Sequence, residues 1–213
     1  MGLFWATEDS TQVSASDVSE LRELTERLAE LMRTTSVVRC TSAGGTDVVV
    51  PIGDRRVTAF YSIIDRPGAI CTIPYYAEAA TAPVEGGTEG IIVVDTYMHW
   101  LGRVTSPIAL HVEGGRVVDV TGGPQSARLK EIIAGADDNA TNIAELGIGT
   151  CRIGVVRGTS QDKALIGTAH LGIGHNHSLG GSVISNVHLD GVFKDATLTF
   201  DGQVIMQAGR FML

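Results

Sequence analysis

Hydrophobic residues recur every three or four positions between Ser16 and Thr34, and this spacing places them on one face of an α-helix. Asp17 stands three places before Glu20, which is typical of a capping box at the start of a helix. The pattern therefore predicts a helix that packs its apolar face on the protein core. The residues of that face are Val18, Leu21, Leu24, Leu28 and Leu31.

Beyond this helix the apolar residues fall into short runs separated by Gly, Pro and Asp, a pattern typical of β-strands. Hairpins are predicted at Gly114–Gly115 and at Asp201–Gly202, because each pair lies between two apolar runs and favours a tight turn. A second helix is predicted in "SARLKEIIAGA", with Ser126 as its cap. The other predicted strands are "SVVRCTS", "DVVVPI", "VTAFYSII", "AICTIP", "GIIVVDT" and "NIAELGIGT".

These elements describe a β-rich α+β fold with an N-terminal helix and few further helices. No internal repeat and no long linker divides the chain, so we expect one domain over residues 15–213, after an N-terminal tail of residues 1–14. A chain of 213 residues is long enough to bury a sizeable core in such a domain.

The net charge of −8, without a cluster of Lys and Arg, argues against a nucleic-acid or an anionic-membrane surface. Cys40, Cys71 and Cys151 are far apart and form no CxxC pair, which favours a reducing compartment. The N-terminus lacks the pattern of a signal peptide, and no segment approaches the ~20 apolar residues that span a bilayer. We therefore expect a soluble cytoplasmic protein.

Four of the six histidines lie within nineteen residues, between His170 and His188. His188 and Asp190 are two positions apart, so on a strand their side chains share one face and can bind the same ion. His177 follows His170 by seven residues across a glycine-containing turn, which allows a loop to return it beside His170. For His175 the sequence is compatible with two alternatives, a side chain that contacts the metal and a side chain that lies in solvent. The cluster predicts a metal site, although an HxD pair alone is equally typical of an ordinary strand.

Two carboxylates stand inside apolar runs, Glu78 in "YYAEAATAP" and Glu145 in "NIAELGIGT". Burial of an unpaired carboxylate is costly, so an acid at such a position has either a cationic partner or a side chain directed to water. If each acid has a cationic partner, both residues join the histidines in the metal site. If their side chains are directed to water, both are surface positions of strands that alternate between apolar and polar residues.

Together these motifs resemble the catalytic half of the aminopeptidase T/aminopeptidase S family of metallo-aminopeptidases. "YAEAATAP" is similar to the segment that supplies one metal-binding Glu in that family, with Ala77 where the family usually has Gly. "SNVHLD" resembles its S-x-x-H-x-D motif, and "TSAGGTDVVVPI" resembles its Gly-Thr-Asp segment. His177 stands where the family has Tyr, and the resemblance covers roughly residues 15 to 205. The implied metal ligands are Glu78, Glu145, His170, His177, His188 and Asp190.

This resemblance implies a fold like the C-terminal domain of aminopeptidase T, and a metal-dependent hydrolase of small amide or peptide-like substrates. One or two divalent ions of Zn, Co, Mn or Fe would lower the pKa of a bound water and polarise the scissile carbonyl. The resemblance also implies a homodimer. Chains of that family are nearly twice this length, so this chain is expected to lack their separate N-terminal domain.

A remoter resemblance to the 2,5-dihydroxypyridine 5,6-dioxygenases, which also end in an HxD pair, implies a different reaction. Two histidines and one carboxylate around Fe(II) leave positions for oxygen and for a hydroxylated ring. Because both glutamates are retained, the sequence favours the hydrolase over this dioxygenase. A third alternative is a metal-binding domain without catalytic activity.

Overall fold

The computed structural model describes residues 15–62, residue 67 and residues 76–213. The predicted N-terminal tail, the predicted strand "AICTIP", the last two residues of "VTAFYSII" and Cys71 lie outside the described residues. Within the described ranges, no helix is long and apolar enough to cross a bilayer.

Both predicted helices are confirmed. The first is α1, Ala15–Arg33, and the second is α2, Gln125–Ala134. The prediction of Ser126 as the cap of α2 was wrong, because Pro124 takes the N-cap position with φ −55° and ψ −29°. The proline ring already holds φ in the helical range, so the helix starts earlier and places Ser126 in its first turn.

The described strands form two antiparallel sheets, of eight and seven strands. The strands are β1 (Val37–Thr41), β2 (Asp47–Pro51), β3 (Val57–Phe60), β4 (Glu78–Thr81), β5 (Glu89–Val94), β6 (Tyr97–Met98), β7 (Gly102–Arg103), β8 (Ile108–Glu113), β9 (Arg116–Gly122), β10 (Ile143–Gly149), β11 (Ala169–Gly174), β12 (His188–Phe193), β13 (Thr197–Phe200), β14 (Gln203–Gln207) and β15 (Arg210–Phe211). The larger sheet has the order β15-β14-β13-β1-β2-β5-β8-β9, and the smaller sheet has the order β3-β4-β10-β11-β12-β6-β7. The predicted β-rich α+β fold is confirmed.

The two predicted hairpins are confirmed as β8–β9 and β13–β14. Gly114 and Gly115 turn the first hairpin with φ of 54° and 70°, and Asp201 and Gly202 turn the second with φ of 45° and 89°. Positive φ at both turn positions matches the twist of the flanking strands, which is why these dipeptides mark hairpins in a sequence.

One hydrophobic core joins the two sheets. β10, β11 and β12 contribute Leu146, Leu171 and Leu189 to this core, and α1 packs on β3 and β4. Because side chains alternate across a strand, the residues directly before and after each of these leucines point to the opposite face of the smaller sheet. The 3₁₀ helix Ser160–Ala164 packs against β10, β11 and β12. The face opposite the core, which we call the outer face, carries the candidate site.

Candidate metal centre

Five of the six predicted ligands lie on the outer face of the smaller sheet. Directly paired residues of antiparallel strands share a face. Across β10, β11 and β12 the register pairs Glu145 with Gly172 and Gly172 with Asp190. A second row of the same face pairs Ala80 with Gly147 and Gly147 with His170. Period-two alternation then brings five side chains together, those of Glu78, Glu145, His170, His188 and Asp190.

Glycines open the space that these side chains occupy. A Cβ atom at Gly147 would overlap the imidazole of His170. A Cβ atom at Gly172 would lie 2.9 Å from Asp190 Oδ1 and 3.1 Å from Glu145 Cβ. Bare backbone at these positions lets the acids and imidazoles lie across the sheet. The signal was present in the sequence as "ELGIG" and "HLGIG", where each ligand is followed by glycine at two-residue steps.

Glu145 lies between the two histidines. Its Oε2 is 2.8 Å from His188 Nε2, and its Oε1 is 3.5 Å from His170 Nε2. Asp190 Oδ1 is 3.0 Å from His188 Nε2, and Glu78 Oε2 is 3.8 Å from His170 Nε2. Potential ligand atoms lie within 4.8 Å of one another in two groups, Glu78–Glu145–His170 and Glu145–His188–Asp190. Glu145 therefore belongs to both groups.

Several buried atoms of these side chains have no hydrogen-bond partner among the described residues. They are Glu78 Oε2, Asp190 Oδ1 and both ring nitrogens of His170. Asp190 Oδ1 is close enough to His188 Nε2 for a hydrogen bond, but the angle is not one at which a bond forms. An unpaired buried polar atom costs about 1–3 kcal/mol. Carboxylate oxygens and an imidazole nitrogen are metal-ligand atoms, so this donor set fits a divalent cation.

The orientation of His188 is set by the loop that precedes it. His188 Nδ1 donates a hydrogen bond to the backbone carbonyl of His175, at 2.6 Å. This bond directs Nε2 towards Glu145 and Asp190. Such a contact fixes the tautomer and the ring plane of a metal-binding histidine. His175 thus acts on the site through its backbone.

Ion pairing dominates the centre when no metal is bound. Burial and the charge of Asp190 raise the pKa of Glu145, but the close contact with His170 and the hydrogen bond to His188 outweigh them and lower it to about 2. Burial lowers the pKa of His188, but the close contact with Asp190 and the hydrogen bond to Glu145 outweigh it and raise it to about 11. These contacts favour the protonated form of His188 in the metal-free centre, and a metal ion that binds Nε2 would have to displace that proton.

Lys163, which the sequence analysis missed, contacts the same centre. Its Nζ is 2.9 Å from Asp190 Oδ2 and 5.5 Å from the centroid of the Tyr76 ring. Burial lowers the pKa of Lys163, but the charges of Glu78 and Asp190 outweigh it and hold the pKa well above its usual value. A single lysine in "SQDKALIG" belongs to no motif, so only the packing of its 3₁₀ helix reveals it.

Two further residues missed by the sequence analysis line the outer face beyond β12. Tyr97 pairs with Val192 and so shares the face of Asp190. The backbone N–H of His99 donates to the carbonyl of Asp190, at 2.9 Å. Burial lowers the pKa of His99, and this outweighs the opposing charge of Asp190. The imidazole of His99, which burial favours in its neutral form, and the phenol of Tyr97 both lie within electrostatic range of Asp190.

His177, the sixth predicted ligand, lies elsewhere. It is an exposed residue at the start of the 3₁₀ helix His177–Leu179, with its ring centroid 6.3 Å from that of His175. It is in neither group of potential ligand atoms found among the described residues. The structure brings the other five together without His177, so its role as a ligand stays a prediction.

The loop that carries His177 is held by Glu85. Asn176 Nδ2 and the backbone N–H of Ser182 donate to Glu85 Oε1, at 2.9 Å and 2.8 Å. Arg55 forms an ion pair with the other oxygen of Glu85. Asn176 is fully buried and also accepts the N–H of Val183, at 2.7 Å. This network fixes the path from β11 to β12 that the HxD pair follows.

The contribution of Glu85 to stability should depend on pH. Burial raises the pKa of Glu85, but hydrogen bonds from Ser182 and Asn176 outweigh it and lower it to about 2. A carboxyl with a lowered pKa stabilises the fold above its unfolded pKa of ~4.3 and loses this effect as the pH falls towards 2. We expect Glu85→Gln to lower the free energy of unfolding by about 2 kcal/mol at pH 7. In urea titrations the difference from the parent should shrink between pH 5 and pH 3, and a pH-independent difference would contradict this assignment.

Comparison with known proteins supports both resemblances. The profile of the family 2,5-dihydroxypyridine 5,6-dioxygenase matches residues 11–213. The solved structure of 2,5-dihydroxypyridine dioxygenase from Pseudomonas putida KT2440 is similar, with a TM-score of 0.80 and 20% identity over 97% of this chain. Wild-type AmpT from Thermus thermophilus is also similar, with a TM-score of 0.75 and 19% identity over 96% of this chain. No curated protein matches the chain.

The chain spans less than two thirds of the length of these two structures. It covers 60% of the dioxygenase chain and 57% of the AmpT chain. At 20% and 19% identity, the two likenesses establish a shared fold and leave the reaction open. The family match extends over nearly all of the sequence. The chain belongs to the 2,5-dihydroxypyridine 5,6-dioxygenase family.

Proposed function

We propose that the protein is an Fe(II)-dependent dioxygenase that cleaves a hydroxylated, pyridine-like aromatic ring. The observation that carries this proposal is the placement of His170 and His188 on either side of one carboxylate, Glu145, on a face that also holds Asp190. Two histidines and one carboxylate form the ligand set of many non-haem Fe(II) oxygenases. Membership of the dioxygenase family supports the same reaction.

The roles of the residues follow from their positions. His170, His188, Glu145 and Asp190 would hold the ion, with Glu78 as a further carboxylate beside His170. Fe(II), when bound, would supply the redox chemistry that activates oxygen and the Lewis acidity that favours an ionised ring hydroxyl. Lys163 holds Asp190 in place through Oδ2. Neutral His99 is suited to accept a proton from a ring hydroxyl, and Tyr97 to donate a hydrogen bond to the ring substituents.

Oxygen consumption with 2,5-dihydroxypyridine tests the proposal. The protein is stripped of metal, loaded with Fe(II) without oxygen, and mixed with the ring compound in an oxygen electrode. We expect one O₂ consumed per ring and loss of the aromatic absorbance. His188→Ala should abolish both signals, whereas His111→Ala, which removes an imidazole bonded to Thr121 on the other sheet, should change neither. Absence of oxygen uptake over a panel of hydroxylated pyridines and catechols would overturn the proposal.

A two-metal hydrolase is the second candidate, and one observation favours it. Glu145 belongs to both groups of potential ligand atoms, as a carboxylate that bridges two ions would. Two ions held about 3.5–4 Å apart can stabilise both the attacking water and the leaving group. Release of an amine from amino-acid amides by the Zn(II)- or Co(II)-loaded protein, without oxygen uptake on ring compounds, would favour this candidate. Bound metal without either activity would identify a non-catalytic metal-binding domain.

A further inference from the structure

The ammonium group of Lys163 and the carboxylate of Asp190 form an ion pair beside the candidate ligands. Only 18% of the Lys163 side chain and 6% of the Asp190 side chain are exposed. Lys163 Nζ also lies over the ring of Tyr76, a buried residue. A cation held this far from water needs negative charge around it, and a cluster of acids needs positive charge in return.

The charges of the centre balance with one divalent ion. Glu78, Glu145 and Asp190 are buried, and together they carry three negative charges when ionised. Lys163 supplies one positive charge, and His170 and His188 are neutral when they bind a metal. A single divalent ion therefore makes the centre neutral. A second divalent ion would leave two uncompensated positive charges in a poorly hydrated site, which is costly.

The two oxygens of Asp190 are already divided between different partners. Oδ2 accepts a hydrogen bond from Lys163 Nζ at 2.9 Å, and Oδ1 stands 3.0 Å from His188 Nε2. A carboxylate that bridges two metal ions offers one oxygen to each. Oδ2 therefore already has a cationic partner, and Oδ1 is the oxygen that stands next to His188.

We propose that Lys163 takes the place of a second metal ion and limits the centre to one divalent ion, while it holds Asp190 in the position of a one-oxygen ligand. This inference rests on the metal centre of the proposed function. It makes Lys163 a positioning residue, since it acts through Asp190.

Metal stoichiometry tests this role without any measurement of turnover. The full chain is stripped with a chelator and titrated with Co(II), which resists oxidation in air better than Fe(II). Bound metal is measured by elemental analysis and by the visible spectrum of the ion. We expect about one ion per chain for the parent protein and for Lys163→Arg, which keeps the charge. Lys163→Met removes the charge at similar length and frees Asp190 Oδ2, so a second ion would leave one uncompensated positive charge instead of two, and the saturating content should rise towards two ions per chain. Lys130→Met is the matched control, since Lys130 pairs with Asp119 at 2.9 Å on the surface, and should leave the content unchanged.

Two results would overturn the proposal. The first is about two ions bound by the parent protein with Lys163 intact, a result that remains decisive if Lys163→Met does not fold. The second is a folded Lys163→Met variant that still binds about one ion. The proposed reaction is tested separately. If the parent protein binds one ion but consumes no oxygen with ring compounds, the role of Lys163 stands and the proposed dioxygenase activity does not.

Discussion

Replacement of Glu145 by Gln should lower the affinity of the protein for a divalent ion by at least about 100-fold. Glu145 is buried, and its two oxygens contact His188 and His170 at 2.8 Å and 3.5 Å. Gln keeps the shape of the side chain but removes its negative charge and turns an N–H group towards one of the histidines. The ion would lose the carboxylate that belongs to both groups of potential ligand atoms, and the amide N–H group of Gln would repel it. Competition titration of Co(II) against a chromophoric chelator measures the change.

Glu131→Gln is the control for this experiment. Glu131 forms an ion pair with Arg128 on the surface of α2, at 2.7 Å, with about two thirds of each side chain exposed. An exposed pair of this kind contributes little to stability, so the control should bind metal as the parent does. If Glu145→Gln bound Co(II) with the affinity of the parent, Glu145 would not be a ligand and the ion would bind elsewhere.

Gly147→Ala should destabilise the fold and the metal centre together. The new methyl group would overlap the imidazole of His170, which is fully buried and cannot move into solvent. Overpacking of this kind costs about 1–3 kcal/mol, and displacement of His170 should weaken metal binding by about 10-fold or more. Urea unfolding of the metal-free protein measures the first effect, and Co(II) titration measures the second.

Gly53→Ala provides the matched comparison. A Cβ atom at Gly53 would meet its nearest neighbour, Ser36 Cα, at 3.6 Å, an ordinary contact. Its effect on stability should stay within about 0.5 kcal/mol, and metal binding should be unchanged. If Gly147→Ala behaved in the same way, the imidazole of His170 would not lie against this strand.

Local patterns were sufficient for much of the fold and for part of the site. Residues i and i+2 of a strand share a face, so the placement of His188 and Asp190 on the same face could be inferred from their spacing. The buried acids were visible because Glu78 and Glu145 interrupt apolar runs. The helix of residues 15–33 and both hairpins followed from periodicity and from turn residues in the same way.

Contacts between distant segments could not be inferred from such patterns. Lys163 meets Asp190 across 27 positions of the chain, in a 3₁₀ helix that has no hydrophobic period. His177 shows the converse case, because its spacing from His170 suggested a returning loop. The path of that loop depends instead on Glu85, which bonds Asn176 from 91 positions away. Spacing along the chain predicts a shared face within one strand, whereas side-chain networks decide where a loop goes.

Anomalous diffraction from crystals of the Co(II)-loaded protein locates the ion among the side chains and so tests the position of the metal centre. We expect one strong peak on the outer face of the smaller sheet, about 2.0–2.3 Å from the Nε2 atoms of His170 and His188 and from an oxygen of Glu145 or Asp190. Lys163 Nζ should remain on Asp190 Oδ2 with no second peak beside it. A peak at His175 and His177 with none on the outer face, or no ordered ion at saturating Co(II), would show that the outer face is not the metal centre.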